Sequence, residues 1–434
     1  MSEDSIFFIP VAEDGSKLNY DSRYILYAPL HGAVALVSQD DKTRIEAKIS
    51  DLNGGIESID ELKPLLSFPK RQIQAPPQKL EDVYEIDILT NYKCNFSCVY
   101  CYSARGRSDV ELEFDIACKL IDFLFSCKHP ALKPYKINFS GGGEPLISFD
   151  LISRIIEYIE QKADISGHKY TLQLVTNGSL LSKKHAEFFK NHGVRLVVSF
   201  SILERFQNQE RGDYDSVAQA IDLLIENGNR FGVRATLTDK SVSAMPEMVQ
   251  EINRRFPKLK AVVFDTVLSK DMFKTDCKLR DYYNCFEKNF LSARSLGARL
   301  GIGVYSTAFM ATEFVRTRAC FGKIVLTPLG ALSICARVSS PREEEYKDFI
   351  YGRIDKSAGL QVNKEIFARY MADDTIYATR DCKSCYARWH CGGGCRLCRH
   401  SLDAASMREE CNFKRHILKN ELMRKIGAVE KKMT

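Results

Sequence analysis

Cysteine carries most of the chemistry legible in this chain. Cys94, Cys98 and Cys101 fall within eight residues, in Asn91-Tyr-Lys-Cys94-Asn-Phe-Ser-Cys98-Val-Tyr100-Cys101. Three thiolates at this spacing can hold three irons of one cubane cluster. No fourth thiol is local, so one iron is left without a protein ligand. An open metal position distinguishes a catalytic site from a closed structural one. A zinc loop lacking one ligand is the alternative on spacing alone.

A second set occupies the C-terminal third: Cys320-x9-Gly330-x4-Cys335, then Cys382-x2-Cys385-x5-Cys391-x3-Cys395, then Cys411. Four of these lie within 14 residues, with Gly392-Gly393-Gly394 between the last two. Glycine permits the turns that aim thiolates inward. Paired Cys-x2-Cys ligands are equally the pattern of a zinc ribbon, so both metals stand at this point. Of the remaining cysteines, Cys118 and Cys127 sit in an apolar helical pattern and read as core. Cys398 lies only three residues past Cys395, and Cys277 and Cys285 have no clear assignment. Trp389 and His390 read as packing and hydrogen-bonding residues rather than ligands.

These groups need elements to position them. The chain has 434 residues, 62 Lys plus Arg against 56 Asp plus Glu, and a net charge of +6. That surplus forms no basic block, which gives no support to nucleic-acid binding. With 45% hydrophobic and 27% charged residues the balance is that of a globular protein. No apolar run approaches the ~18 residues of a membrane span. The acidic Met1-Ser2-Glu3-Asp4 start does not read as a signal peptide, so a cytoplasmic protein is expected. Fifteen cysteines in such a setting point to metal or redox chemistry rather than disulfides.

Three parts are expected. Residues 1–80 hold strand candidates Ile6–Ile9, Tyr24–Tyr27 and Ala33–Val37, a helix from Asp40, and a Pro-bearing connector from Phe68 to Pro77. Residues 81–304 alternate strands and helices. The strands are Val83–Leu89, Lys136–Ser140, Tyr170–Val175, Val194–Phe200, Val233–Thr238 and Ala261–Phe264. Ile152, Ile155, Ile156 and Ile159 share one helical face, as do Val217, Ile221 and Leu224 ahead of Gly228. Such repeats imply a parallel sheet with outer helices. Six units predict an α/β fold, a partial (β/α)6 TIM-like barrel, with its chemistry at the C-terminal ends of the strands. The three-cysteine loop follows the first strand, Phe139-Ser-Gly141-Gly142-Gly143-Glu144-Pro145 the second, and Thr176-Asn177-Gly178 the third. Residues 305–434 carry short strands, most remaining cysteines and a basic helix from about Phe413.

Cys-x3-Cys-x2-Cys with an aromatic before the last cysteine resembles the radical S-adenosylmethionine (SAM) superfamily. In that family the open iron chelates SAM, an electron cleaves the sulfonium, and the 5′-deoxyadenosyl radical abstracts a substrate hydrogen. The resemblance places Tyr100 near the adenine. It places Gly142, Gly143 and Glu144 at the SAM amino group, with Asn177 in the Thr-Asn-Gly turn. Relatives often carry Ser-x-Asp-Gly after the fourth strand and a later Arg. Here Ser199 is kept, Asp-Gly is replaced by Ser201-Ile202, and Arg211 is the expected carboxylate contact.

The C-terminal cysteines match the seven-cysteine SPASM domain, which extends radical SAM enzymes that modify peptides. The match implies a distal cluster on Cys382, Cys385, Cys391 and Cys411, and a proximal one on Cys320, Cys335 and Cys395. The fourth proximal position is expected to be an open iron, with Cys398 the nearest alternative. Three [4Fe–4S] clusters, SAM, a precursor peptide and a flavodoxin- or ferredoxin-type electron donor are implied. The expected activity is peptide maturation by a thioether or carbon–carbon crosslink, with residues 1–80 either binding a leader peptide or packing on the barrel. A formylglycine-generating sulfatase maturase, a small-molecule SPASM enzyme and a zinc-knot binding module are the rivals. No residue is identifiable as the catalytic base.

Overall fold

A computed structural model describes residues 6–11, 23–51, 56–73, 75–127, 133–267, 272–273, 275–373, 375–378 and 380–433. The acidic start read in the sequence lies outside them. Strands β1 (Phe7–Pro10), β2 (Arg23–Ala28) and β3 (Ala33–Ser38) form an antiparallel sheet in the order β1-β2-β3. Alternate residues of a strand face opposite sides. Leu26 and Ala28 of β2 therefore bury against Ile45, Ile56, Ile59 and Leu62. Ile25 and Tyr27 face the other way, onto Leu418, Leu422 and Ile426 of the C-terminal helix Ala404–Met433. The helix Gln39–Ser50 starts on a capping box, with Ser38 Oγ accepting from the Asp41 amide and the Asp41 carboxylate accepting from the Ser38 amide. Of the two roles expected for this segment, packing is thus directed to the C-terminal helix rather than to the barrel.

The main sheet begins with β4 (Glu85–Ile88), β5 (Tyr135–Phe139), β6 (Tyr170–Thr176), β7 (Arg195–Ser199), β8 (Phe231–Leu237) and β9 (Ala261–Thr266). Each pairs in parallel with the next. Each lies within two residues of its sequence-based bounds except at its frayed ends. The expected helix faces are there: Ile152, Ile155, Ile156 and Ile159 are all inaccessible, as are Val217, Ile221 and Leu224. Gly228 stops the second of these helices in a left-handed conformation, φ 68°.

The sheet runs on beyond residue 305. β10 (Gly303–Tyr305) adds in parallel to β9, and β11 (Ile324–Leu326) in parallel to β4, placing Ile324 opposite Ile86 and Leu326 opposite Ile88. β12 (Ala331–Ser333), β13 (Ile350–Asp355) and β14 (Gly359–Val362) follow antiparallel. The eleven strands form one open sheet from β10 to β14, so the barrel does not close. β4 is consequently an inner strand, and the buried Asp87 on it accepts from Lys323 Nζ at 3.2 Å and Asn138 Nδ2 at 2.9 Å. The segments carrying the second cysteine set are in this way fixed beside the strand that carries the first. Among the described residues no helix is long and apolar enough to cross a membrane.

Candidate active site

The three-cysteine loop leaves the C-terminal end of β4 and is stitched to the ends of its neighbours. Gly143 N donates to Asn91 O at 2.8 Å and Glu144 N to Lys93 O at 2.7 Å. Asn177 Nδ2, past β6, donates to Asn95 Oδ1 at 2.9 Å. Val99 N donates to Glu210 O at 3.0 Å, and Arg107 Nη2 to Cys101 Sγ at 3.3 Å. Cys94, Cys98 and Cys101 are half-buried on this loop.

The glycine run is required by that packing. A Cβ on Gly142 would lie 2.4 Å from Asn91 O, and one on Gly143 would lie 1.8 Å from Lys93 O. No real side chain tolerates such contacts. The second and third glycines thus let β5's loop meet the cysteine loop, a close approach between two backbones rather than toward a ligand alone.

Glu144 is buried, and its carboxylate already accepts from Thr176 Oγ1 at 2.6 Å, Asn177 N at 2.7 Å and Leu146 N at 3.2 Å. Burial pushes its pKa up against those three donors. A carboxylate has about four acceptor positions, so Glu144 chiefly fixes the Asn177 turn and keeps one position for a ligand. Asn177 Oδ1 is likewise engaged, by Ser179 N at 2.9 Å.

Arg211 Nη1 donates to Tyr100 Oη at 2.8 Å, with the guanidinium 5.9 Å from the ring centre. Burial opposes the charge of Arg211, but the neighbouring Tyr100 and Cys98 outweigh it and hold the pKa above its usual value. The expected Tyr100 and Arg211 contacts are thus one paired unit beside the cysteine loop.

Ser199 ends β7 half-buried, and Ser201 N donates to Gln207 Oε1 at 3.0 Å. Ile202 stands at φ 67° although fully buried. The glycine-type backbone of this turn is retained where glycine itself is gone. Left-handed conformation costs a β-branched residue about 1–2 kcal/mol. Removing a fully buried Ile costs more, about 2–5 kcal/mol for truncation to Ala. Ile202→Gly should therefore lower stability by about 2 kcal/mol net, read from urea unfolding; a stabilised variant would show that strain dominates.

Four buried polar atoms in these motifs have no partner: Asn91 Oδ1, Arg107 Nε, Ser201 Oγ and Arg211 Nε. Buried polar groups are rarely left so. Their concentration around the three-cysteine loop, with donors and acceptors mixed, fits a polar, charged cofactor such as SAM. Asn91, Asn95 and Arg107 were not singled out from the sequence. Only their proximity to the cysteines could have flagged them.

The second set divides in two. Cys335 lies within electrostatic reach of Cys395 and Cys320. Cys391 interacts with Cys411 and Cys385, Cys382 with Cys391 and Cys385, and Cys411 with Cys385 and Cys382. The buried Cys398 donates its S–H to Cys395, which holds Cys395 below the usual thiol range and Cys398 above it. Cys277 is exposed, and Cys285 is half-buried and bonded to Asn289 Nδ2 at 3.3 Å. Among the described residues no three His, Cys, Asp or Glu side chains converge as the shell of a single ion. The thiolates of a cubane bind different irons and stand wider apart. Trp389 is fully buried, and His390 bonds Tyr27 Oη at 2.5 Å and Phe314 O at 2.7 Å. Burial holds His390 down to about 4, so it is neutral at pH 7.

Cys94, Cys98 and Cys101 line one cavity, of about 710 Å³, and a second, of about 410 Å³, lies beside the C-terminal knot. Tyr102 and Arg105 line it from the first loop, Arg337 and Glu343 from the segment after Cys335, and Leu397 and Cys398 from the knot.

Residues 88–250 match the radical SAM superfamily. Uncharacterized protein MJ0907 of Methanocaldococcus jannaschii is 29% identical over 37% of this chain, and the match spans 55% of that relative's length. The radical SAM cyclopropyl synthase TigE of Paramaledivibacter caminithermalis is 22% identical over 73% of this chain and 68% of its own. Among solved structures, anSMEcpe with bound AdoMet aligns over 80% of this chain and 99% of its own, TM-score 0.60 at 16% identity. Streptococcus suis SuiB bound to the precursor peptide SuiA aligns over 88% and 94%, TM-score 0.51 at 15% identity. These likenesses show a shared fold. The cysteine loop, the glycine turn and Asn177 come together inside residues 88–250, and that segment is a radical SAM domain.

Proposed function

We propose that this enzyme is a peptide maturase that closes a thioether or carbon–carbon crosslink in a ribosomally made precursor. The observation that carries this reading is a cavity lined by Tyr102 and Arg105, just past the three-cysteine loop, and by Cys398, which donates its S–H to Cys395. Bound together, SAM and a [4Fe–4S] cluster on Cys94, Cys98 and Cys101 supply a radical that takes a hydrogen atom from the substrate. Arg211, Tyr100, Asn177, Ser199 and Ser201 surround the SAM position, and Gly142, Gly143 and Glu144 shape it. Residues 305–434 act as a SPASM domain. Cys382, Cys385, Cys391 and Cys411 hold one auxiliary cluster, and Cys320, Cys335 and Cys395 the other. The fourth position of the second is an open iron, with Cys398, buried beside Cys395, the alternative ligand.

That SuiB binds a precursor peptide supports a peptide substrate for the shared fold. A flavodoxin- or ferredoxin-type donor supplies the electron. Residues 1–80 take the leader-binding role. Because Ile25 and Tyr27 cover the C-terminal helix, that role is best tested by surface substitutions rather than by truncation.

Coexpression with each short peptide encoded beside the gene should yield one peptide lighter by two hydrogens, with the bond mapped by tandem mass spectrometry. Every peptide unchanged, while SAM is cleaved, would end the peptide reading. A cysteine or serine converted to an aldehyde would instead select the sulfatase-maturase activity.

A further inference from the structure

The sequence offered no catalytic base. The cavity wall holds three carboxylates outside the cofactor motifs, of which Glu345 accepts from Ser401 Oγ at 2.7 Å and Asp403 from Ser406 N at 2.7 Å. Glu343 lines the cavity and is 7% exposed. Its Oε2 accepts from Ser339 N at 2.5 Å and Ser340 N at 3.0 Å. Its Oε1 is buried with no partner. One oxygen is thus anchored and the other bare.

The segment bearing Glu343 is clasped to the first cysteine loop. Tyr92 Oη donates to Ser339 O at 2.6 Å, Arg342 Nη1 to Arg107 O at 2.8 Å, and Arg105 pairs with Glu344 at 2.8 Å. Gly106 of that loop is close enough that a Cβ on it would lie 2.8 Å from Ser340 Cβ and 3.4 Å from Glu343 Oε1. The bare oxygen is therefore packed against Gly106, just past the three-cysteine loop, on a residue that lines the cavity. Arg337, over the Tyr102 ring at 5.3 Å, and Arg105 are the cations of the same wall.

We propose that Glu343 is the general base of this active site, accepting at Oε1 a proton from the substrate group that becomes bonded. This rests on the peptide-maturase reading. The step is a proton transfer. The S–H bond of a substrate thiol, or the corresponding heteroatom–hydrogen bond, breaks heterolytically. Its electron pair stays on the heteroatom, the proton goes to Oε1, and no electron leaves in this step. Burial raises the Glu343 pKa and makes its carboxylate a stronger base. The other groups acting on it are Arg105, which lowers the pKa, and Glu345, which raises it; Tyr92, Tyr346 and Cys101 are the neighbouring titratable groups. A bland role, closing the Ser339–Ser340 turn, accounts for Oε2 alone.

Glu343→Gln separates the two roles, because its amide oxygen keeps both backbone bonds while an NH2 replaces the base. With a peptide that the wild type modifies, the variant should lose at least ~100-fold in product, the usual scale of a general base. Its 5′-deoxyadenosine yield should stay within about twofold. Product within threefold of wild type would overturn the assignment. A second arm needs neither substrate nor variant. Dicyclohexylcarbodiimide, an apolar reagent for protonated carboxyls, is applied to the anaerobic holoenzyme and the adduct mapped by mass spectrometry. An adduct on Glu343 is expected, and its absence there would overturn the proposal. SAM cleavage by the untreated enzyme reports separately on the radical SAM reading, so the two failures appear in different measurements.

Discussion

Replacing Cys94, Cys98 and Cys101 together with Ala should lower 5′-deoxyadenosine formation at least ~1000-fold, to the level of the reagents alone. The loop supplies three thiolates and no local fourth. A cluster already short of one protein ligand has none to spare. The variant should still fold, because the three side chains are half-buried and the loop keeps its backbone and asparagine bonds when the Arg107 bond to Cys101 Sγ is lost. Iron bound by the C-terminal cysteines should persist, at about two thirds of the wild-type content if three [4Fe–4S] clusters are present. Undiminished SAM cleavage in this variant would remove the loop from the chemistry. Complete loss of iron would show that the two cysteine sets do not load independently.

Gly143→Ala should be nearly as damaging through a different cause. Gly143 does not occupy a positive-φ conformation, so alanine meets no backbone strain there. Its Cβ would instead fall 1.8 Å from Lys93 O and 2.3 Å from Asn91 Oδ1, contacts that only a backbone shift can relieve. Overpacking of this kind costs typically about 1–3 kcal/mol. Here the displaced atoms are the cysteine loop itself, so SAM affinity should fall at least ~100-fold. Gly167→Ala is the control. Its φ is 72° with nothing within 4 Å of the new Cβ, so it carries strain without a clash and should cost about 1 kcal/mol with SAM binding unchanged. Equal SAM affinity in both variants, measured by equilibrium dialysis, would contradict a loop held by the glycine turn.

Much of this architecture is written in local pattern. Six strands and two helix faces follow from periodicities of two and 3.6, which depend only on neighbours in sequence. The cofactor motifs follow from their position at strand ends. What was not legible is long-range. β11 falls inside the short strand expected over Lys323–Thr327, but nothing in Ile324-Val325-Leu326 says that it lies against β4. Ile25 and Tyr27 alternate correctly, yet their partner, the helix bearing Leu418 and Leu422, lies almost four hundred residues away.

The site shows the same division. Tyr100 and Arg211 were each expected at SAM, but their mutual hydrogen bond emerges only in three dimensions. Gly142 and Gly143 were read for a ligand's sake, and the nearest demand on them comes from Asn91 and Lys93. Ile202 interrupts a turn motif in sequence while keeping its left-handed backbone. Glu343 lies in no motif, and its bare oxygen is a property of the fold alone.

The central claim is that the chain uses an iron–sulfur cluster to cleave SAM and carries further clusters in its C-terminal region. Purified and reconstituted without oxygen, the protein should hold about twelve iron atoms per chain and absorb near ~400 nm. On addition of dithionite and SAM it should release 5′-deoxyadenosine, quantified by liquid chromatography with mass spectrometry. A colourless protein that holds only zinc and leaves SAM intact would contradict the account.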